Sequence, residues 1–255
     1  MIRRSSLRIA ALMHVVLLMG TRFALAQGAA PAPPPEPPKP WMGSIASGLA
    51  VTGGNADTLT TNLSFDLQSD KTKVNVFKAE GLNLRSSKDG ESIVDRTSLA
   101  VRDEYKVTAR SYVFGQFQYL RDVFKAIDYL MAPTGGVGLK VVDTDRTVLN
   151  VDGSVGAVVE KNPGVAKKTS GAVVVGEKFQ HKVTPSATFT ETFGALWKTK
   201  DVDDSLYTFG VGLAAAENSK VQLKFEFLDT YKNKPPSVLI KKNDTALVTS
   251  IVYKF

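Results

Sequence analysis

The sequence predicts an all-β protein, a single antiparallel, up-and-down transmembrane β-barrel of about twelve strands. Three observations support this prediction: an alternating C-terminal strand, a series of similar segments upstream of it, and an export signal with no second long apolar stretch. Only helices and closed barrels satisfy every backbone polar group in lipid. An exported membrane protein without a further apolar helix is therefore expected to cross with strands.

The C-terminal segment 246–255 reads ALVTSIVYKF, and its character alternates from one residue to the next. This period of two is typical of a strand with two different faces. A barrel closes by pairing its last strand with its first, so we expect this segment to lie beside the first strand. We also expect Tyr253 and Phe255 to form the signal by which the barrel-assembly machinery recognises the chain.

Residues 1–26 have the pattern of a secretory signal peptide. A basic start (Arg3, Arg4, Arg8) precedes the apolar run 9–20, and Ala24–Ala26 forms a small-residue cleavage site. An N-terminal membrane anchor is the alternative, but the apolar run is short for the roughly 20 residues of a membrane span.

Charge and cysteine content narrow the function classes. Removal of the four arginines of the signal peptide leaves 28 basic and 25 acidic residues, so the formal net charge falls from +7 to +3 and no nucleic-acid partner is expected. The chain has no cysteine, which excludes disulfides, thiolate chemistry and cysteine-ligated metals. No His/Asp/Glu grouping has metal-ligand spacing, and no cofactor is expected.

Residues 27–40 form a proline-rich lead that is too poor in apolar residues to pack a core. We interpret it as an extended, disordered periplasmic spacer, with a partner-binding motif as the alternative. The barrel is expected to occupy residues 41–255.

Twelve segments of 11–16 residues read as strands, longer than strands in most soluble sheets and suited to tilted membrane strands. Val221–Phe227 alternates clearly between apolar and polar residues, and apolar-out with polar-in is the barrel pattern. The predicted strands are 41–53, 58–68, 72–85, 92–107, 110–123, 128–142, 146–160, 170–182, 185–199, 205–217, 220–233 and 243–255.

The connections between these segments alternate in length. Tight turns are expected at one rim, which also carries both termini, and longer charged loops at the other, as in outer-membrane barrels. The longer loops are predicted at 86–92, 161–169, 200–204 and 233–242. Aromatic residues near strand ends are expected to form interfacial girdles, although several could instead be packing residues. These are Trp41, Tyr112, Tyr119, Tyr129, Trp197, Tyr207 and Tyr253.

The chain resembles a known family over nearly all of residues 41–255. The resemblance is carried by Trp41-Met-Gly-Ser, by Val51–Thr58 (VTGGNADT) with Asn62, and by Tyr119–Leu130 (YLRDVFKAIDYL) leading into Gly135–Gly138. The family is domain-of-unknown-function family 481, also labelled salt-induced outer membrane protein. The resemblance implies an outer-membrane barrel without an established reaction, and the proline-rich lead is not part of the pattern.

Charged residues suggest a network at the lumen or the rim. Arg121, Asp122, Lys125 and Asp128 bring four charges to one strand end and its loop. They either fix the local shape and narrow a channel or are ordinary solvated loop charges. Further lumen candidates are Asp152, Lys178, Lys224 and Glu226. Their mixed signs predict weak ion selectivity.

Two lysine-rich segments, 161–168 and 232–242, place seven lysines on predicted outer loops. These lysines either contact lipopolysaccharide phosphates or are solvated. Outer-membrane lipids are the expected surroundings, and the oligomeric state is open.

No catalytic residue is assigned. His181 is the sole histidine after removal of the signal peptide, and a lipid hydrolase would pair it with a serine such as Ser186 and with a third residue that the sequence does not identify. Gly135–Gly138 lacks full phosphate-loop spacing, and Asn55–Asp57 reads as an Asx-type turn. The sequence therefore favours a non-enzymatic outer-membrane protein, either a narrow channel or an envelope-stress structural component. The alternatives are the hydrolase and a soluble periplasmic lipocalin-like binder.

Overall fold

The computed structural model describes residues 40–52 and 58–255, which form one closed barrel of twelve antiparallel strands. Each strand pairs with its sequence neighbours, and β1 also pairs with β12. The prediction of an all-β up-and-down barrel is thus confirmed. The predicted signal peptide, most of the proline-rich lead and the Asn55–Asp57 turn lie outside the described residues.

The strands lie within a few residues of their predicted bounds. They are β1 (Trp41–Thr52), β2 (Thr58–Ser69), β3 (Asn75–Lys88), β4 (Glu91–Lys106), β5 (Ser111–Asp122), β6 (Ile127–Asp143), β7 (Thr147–Lys161), β8 (Lys168–Lys182), β9 (Ala187–Lys198), β10 (Asp201–Ala216), β11 (Val221–Lys232) and β12 (Asn243–Lys254). No helix in the described part of the chain is long and apolar enough to cross a membrane.

We call the rim that carries Trp41 and Lys254 the termini rim and the opposite one the loop rim. Two of the long loops predicted at the loop rim, 86–92 and 200–204, are wrong, because the flanking strands continue into tight hairpins. β3 and β4 are joined by Asp89 and Gly90, with φ of 51° and 83°. Such left-handed pairs form two-residue hairpin turns whose twist matches that of the strands. β9 and β10 are joined by residues 199–200, and the longest loop is 233–242.

The two faces of the wall differ in chemistry. Odd-numbered side chains of most strands point outward and are apolar and exposed, as in Ile45, Leu63, Val137, Phe225 and Ile251. Even-numbered side chains point into the lumen; they are mainly polar or small toward the termini rim and include larger apolar residues toward the loop rim. A soluble sheet would bury its apolar face instead. Register shifts in the β5–β6, β6–β7 and β9–β10 pairs mark local irregularities.

The seam between β1 and β12 closes the barrel and is short. Its ladder runs from Ser44↔Lys254 to Ser47↔Ile251, and Gly43 and Phe255 exchange two further backbone hydrogen bonds. Beyond Ser47, the buried side chain of Asn62 on β2 reaches over β1. Its Nδ2 donates to the Thr249 carbonyl at 3.4 Å, and its Oδ1 accepts from Ser250 Oγ at 2.8 Å.

Candidate functional site: the lumen

The loop-rim half of the lumen is filled by apolar side chains. Strands β5 to β10 each contribute small or branched residues that are buried against one another, and they form a plug inside the barrel wall. The plug consists of Leu120, Ile127, Leu130, Ala132, Val158, Ala172, Val174, Leu196 and Leu206.

Four charges, which we call the ionic ring, lie at the loop-rim ends of four strands: Glu160, Lys198 and Lys232 are buried, and Asp204 is partly buried. Lys198 Nζ lies 2.5 Å from both Glu160 Oε2 and Asp204 Oδ2. Lys232 Nζ lies 2.9 Å from Glu160 Oε1 and 3.2 Å from Asp204 Oδ1. The side chains of Glu160 and Lys232 are each 2% exposed. Positive and negative groups alternate around the ring, so each buried charge has two opposite partners.

The ionic ring bridges the lumen and does not only follow the wall. Glu160 lies on β7 and Lys232 on β11, four strands apart in the barrel order. Asn162 extends the ring, because its Nδ2 donates to Glu160 Oε1 at 2.9 Å and to the Ala126 carbonyl at 2.7 Å. The β5–β6 loop is thereby held against the ring.

Lys125 in the β5–β6 loop also crosses the mouth. It is 0% exposed, and its Nζ lies 2.9 Å from Asp244 Oδ2 on β12, half the barrel away from β6. It also donates to the Lys242 carbonyl at 2.7 Å. Arg96 on β4 donates to Thr230 Oγ1 on β11, a further contact across the lumen. Together these contacts close the loop-rim mouth.

A second charged cluster lies further from the loop rim, around Arg102 on β4. Its guanidinium contacts Glu104 and Asp152 at 2.9 Å each and lies 3.5 Å from the centroid of the Phe114 ring. Lys78 Nζ lies 2.8 Å from the same Glu104. This cluster fills one side of the lumen and leaves the other side to water.

The remaining lumen surface is accessible to water. On β8 and β9 the inward-facing Lys178, Gln180 and Thr192 are exposed, and so are Asp66 and Glu80 on the opposite wall. A cavity of about 410 Å³ lies at the termini rim beside Gln180 and Lys182. The lumen is therefore a polar cup that opens at the termini rim.

The structure divides the four charges predicted to act together. Asp122 is buried and accepts from the backbone N of Lys125 at 3.1 Å, and Lys125 points across the lumen. Arg121 instead faces outward and pairs with Asp95 at 3.1 Å, while Asp128 is exposed. Arg121 and Asp122 are consecutive residues of β5, so their side chains lie on opposite faces of the wall.

The four other candidates all lie on the lumen side of their strands. Asp152 contacts Arg102, and Lys224 pairs with Glu226 at 2.8 Å along β11. Lys178 has no carboxylate partner among the described residues. Tyr253 and Phe255 are 47% and 45% exposed on the outer surface of β12 and the C-terminus.

Sequence reasoning missed the ionic ring and Arg102. Glu160, Lys198 and Lys232 are all inward-facing residues within two positions of a strand end, where alternation alone does not separate a lumen charge from a loop charge. Lys232 was expected on a solvated loop, and this is wrong because its side chain turns inward to two carboxylates. All three have even residue numbers, as the inward-facing residues of the same strands do, and this shared alternation is the feature of the sequence that indicates a lumen position.

The expected aromatic girdle is correct in part. At the loop rim, Trp197 Nε1 donates to the Tyr207 hydroxyl at 3.0 Å on the outer surface, and Tyr207 packs on Tyr231. Tyr112 is not a girdle residue, because it points into the lumen, is 6% exposed and lies beneath Arg102.

His181 faces outward and lies outside the lumen. Its Nδ1 is 2.8 Å from Thr147 Oγ1, and its ring stacks on Phe179 with an interplanar angle of 2°. Ser186 contacts Thr184 at 3.4 Å. The serine–histidine pair that a hydrolase needs is not formed among the described residues.

The longest loop, 233–242, is fastened at its base and apolar at its tip. Lys234 Nζ lies 2.8 Å from both carboxylate oxygens of Asp201, and this hydrogen bonding raises the pKa of Lys234. Val238 and Leu239 are 99% and 89% exposed. The tip therefore projects from the rim with two unpartnered apolar side chains.

Comparison with solved structures finds one channel with a TM-score above 0.5, at low sequence identity, and two porins with lower scores. The COG4313 outer membrane channel from Pseudomonas putida F1 is 12% identical with a TM-score of 0.52, over 91% of this chain and 100% of that one. The NanC porin is 10% identical with a TM-score of 0.49, over 83% and 97%. The KdgM porin in complex with disordered oligogalacturonate is 10% identical with a TM-score of 0.46, over 83% and 99%.

Sequence comparisons give the family. No curated protein matches the chain. The family model described as "Protein of unknown function, DUF481" matches residues 45–255, which is almost the whole barrel. The resemblance seen in the sequence is confirmed, and the chain belongs to the DUF481 family.

Proposed function

We propose that this protein is a non-enzymatic outer-membrane channel whose outer mouth is closed in the state described here. The proposal places the loop rim outside the cell and the open lumen toward the periplasm. One observation carries it: an apolar outer surface surrounds a water-accessible polar lumen, which is blocked toward the loop rim by the apolar plug and by contacts across the mouth. A barrel with a fully packed interior would have no such cup.

The ionic ring is the proposed gate. Glu160 and Lys232 come from strands four apart in the barrel order, so removal of both side chains deletes one cross-lumen pair without leaving an unpaired partner between them. We expect Glu160→Ala/Lys232→Ala to turn a rarely conducting barrel into one with frequent current steps. Single-channel recording of the detergent-purified mature protein in a planar bilayer measures this.

The chain offers a matched control in Lys224→Ala/Glu226→Ala, which removes a lumen ion pair that runs along β11 and does not cross the mouth. This variant should behave as the wild type does. Heat-modifiable electrophoretic mobility shows that each variant is folded. A folded Glu160→Ala/Lys232→Ala barrel without current would overturn the channel proposal, and a frequently conducting wild type would overturn the closed mouth.

A structural role in the envelope is the second candidate, favoured by the same cross-lumen contacts. Arg96–Thr230, Lys125–Asp244 and Lys232–Glu160 tie distant strands together, which stiffens the wall. This role predicts that Glu160→Ala/Lys232→Ala stays non-conducting but loses stability.

The hydrolase alternative predicts that His181→Ala abolishes lipid hydrolysis. We expect no lipid hydrolysis by the wild type or by His181→Ala.

We further propose two contacts for the barrel surface. The exposed lysines at the loop rim, among them Lys167, Lys241 and Lys242, are placed to meet lipopolysaccharide phosphates, and the apolar tip of loop 233–242 lies beside them. The outward Tyr253 and Phe255 are placed for the barrel-assembly machinery. Deletion of Phe255 should lower the folded fraction in outer-membrane preparations, whereas unchanged assembly would contradict that role.

A further inference from the structure

Most basic side chains in the lumen already have acidic partners. Carboxylate contacts within 3.2 Å hold the side chains of Lys78, Arg102, Lys140, Lys198, Lys224 and Lys232. Lys178 and Lys182 on β8 differ, because both are exposed to the lumen and neither has an acidic partner in the described ranges. Two ammonium groups without acidic partners, on the same face of one strand, are an electrostatic feature that the barrel itself does not require.

The surroundings of these two lysines supply hydrogen-bond donors. Gln180 lies between them on the same face of β8, and all three residues are paired in register with threonines of β9. The pairs are Lys178↔Thr192, Gln180↔Thr190 and Lys182↔Thr188. We call this set of six residues the basic wall.

The basic wall leads into the cavity of about 410 Å³ at the termini rim. Arg146 lines the same cavity, and its Nε donates to the Lys182 carbonyl at 3.1 Å. A carbonyl does not neutralise a guanidinium, so Arg146 adds a third positive charge, and Lys71 in the cavity lining adds a fourth. Asp143 in the lining is already paired with Lys140 at 3.0 Å, which leaves Asp145 as the opposing charge.

The two exposed carboxylates of the lumen lie elsewhere. Asp66 and Glu80 are paired in register on β2 and β3, half the barrel away from β8 and β9. The water-accessible lumen therefore has an acidic wall opposite the basic wall. An anion that enters from the termini rim can therefore reach the basic wall without contacting Asp66 or Glu80.

We propose that the basic wall and its cavity bind a small oxyanion, a solute that carries carboxylate or phosphate groups. Lysine ammonium groups attract such anions as point charges, and the glutamine amide and the threonine hydroxyls complete the coordination with neutral donors. The volume is in the range of small-molecule pockets. The site lies inside the barrel and faces the solution at the termini rim. Only the identification of that solution as the periplasm rests on the proposed function.

The test is calorimetric titration of the full-length mature barrel, in an uncharged detergent without phosphate, with citrate and with inorganic phosphate separately. Lys178→Gln/Lys182→Gln should weaken binding of the anion by about tenfold or more, the loss expected when charge-assisted hydrogen bonds are removed. Lys167→Gln/Lys168→Gln removes the same net charge at the loop rim and should change affinity less than about twofold. Glucose should not bind.

Three results would overturn the proposal: absence of anion binding to the folded wild type, equal weakening in the lumen and loop-rim variants, or loss of binding in Asp66→Asn/Glu80→Gln. We expect this last variant, which removes the acidic wall, to bind the anion at least as well as the wild type does. Acetylation of Lys178 and Lys182, followed by mass spectrometry, gives a second measurement, because bound citrate should slow it. Neither calorimetry nor acetylation needs ion current, so failure of the gate proposal and failure of the anion-binding proposal are distinguishable.

Discussion

At the scale of single residues, the closing seam depends on Asn62 and Gly48. The β1–β12 ladder ends at Ser47, and beyond it the Asn62 amide makes one hydrogen bond to the β12 backbone, at the Thr249 carbonyl, and one to the Ser250 hydroxyl. A Cβ on Gly48 would lie 1.9 Å from the Thr249 carbonyl oxygen and 2.4 Å from Asn62 Nδ2. Glycine is therefore the residue that lets an amide from β2 pass over β1 to β12.

We expect Asn62→Ala to lower the free energy of unfolding by about 1–3 kcal/mol, because the buried Ser250 hydroxyl loses its partner. Denaturant titration followed by heat-modifiable mobility measures the change. Asn83→Ala is the control, since it removes a cross-strand amide contact to Thr97 away from the seam. Equal effects of the two substitutions would show that the seam has no special dependence on Asn62.

At the scale of elements, the loop 233–242 is held by ion pairs at its base. Asn233 Nδ2 donates to the Asp203 carbonyl at 2.9 Å, and Lys234 pairs with Asp201. Because the pair raises the pKa of Lys234, its stabilising contribution is complete below the ordinary lysine value of 10.5 and is lost as the pH rises through the raised value. The base of the loop is therefore sensitive to alkali and to salt.

A spin label on Leu239→Cys tests this, because the chain contains no other cysteine. We expect label mobility to increase between neutral pH and a pH well above 10.5. Adding Lys234→Gln should give high mobility already at neutral pH and abolish the pH response. A label on Ser186→Cys, in a turn at the opposite rim, should not respond. A pH response that survives Lys234→Gln would assign the loop attachment to another group.

At the scale of the whole molecule, charge in the lumen is mixed and is distributed over two walls. The acidic pair Asp66 and Glu80 faces the basic pair Lys178 and Lys182 across the water-accessible lumen. An ion passing through the lumen would meet both signs at a similar depth. Such a pore discriminates weakly between cations and anions.

We therefore expect reversal potentials near zero when Glu160→Ala/Lys232→Ala is recorded in a salt gradient. Lys178→Gln/Lys182→Gln in the same background should shift the reversal potential toward cation selectivity, because the acidic wall then remains alone. Asp66→Asn/Glu80→Gln should shift it in the opposite direction. Strong selectivity in the parent variant, or shifts of the same sign, would contradict the two-wall description.

The architecture could be predicted from the sequence because the two faces of a barrel wall are set by residues that are neighbours in the chain. Alternation along Val221–Phe227 reports the two faces of β11 directly, and the aromatic C-terminus correctly indicated a strand that pairs with β1. Parity decides which face a side chain occupies, and parity is a property of neighbours in the chain. Export and membrane insertion were inferred from composition in the same way.

The charge pairs of the lumen could not be predicted from the sequence, because they join residues that are far apart in the chain. Glu160 meets Lys232 and Lys125 meets Asp244 because closure of the barrel brings the ends of non-neighbouring strands to one mouth. Which lumen charges are paired and which are free follows from strand order, as the Lys125–Asp244 pair shows. The sequence alone determined the wall and its two faces, whereas only the tertiary structure decided that the lumen is closed at one rim and basic along β8. The physical reason is that alternation is set by neighbouring residues, while charge pairing is set by proximity in space.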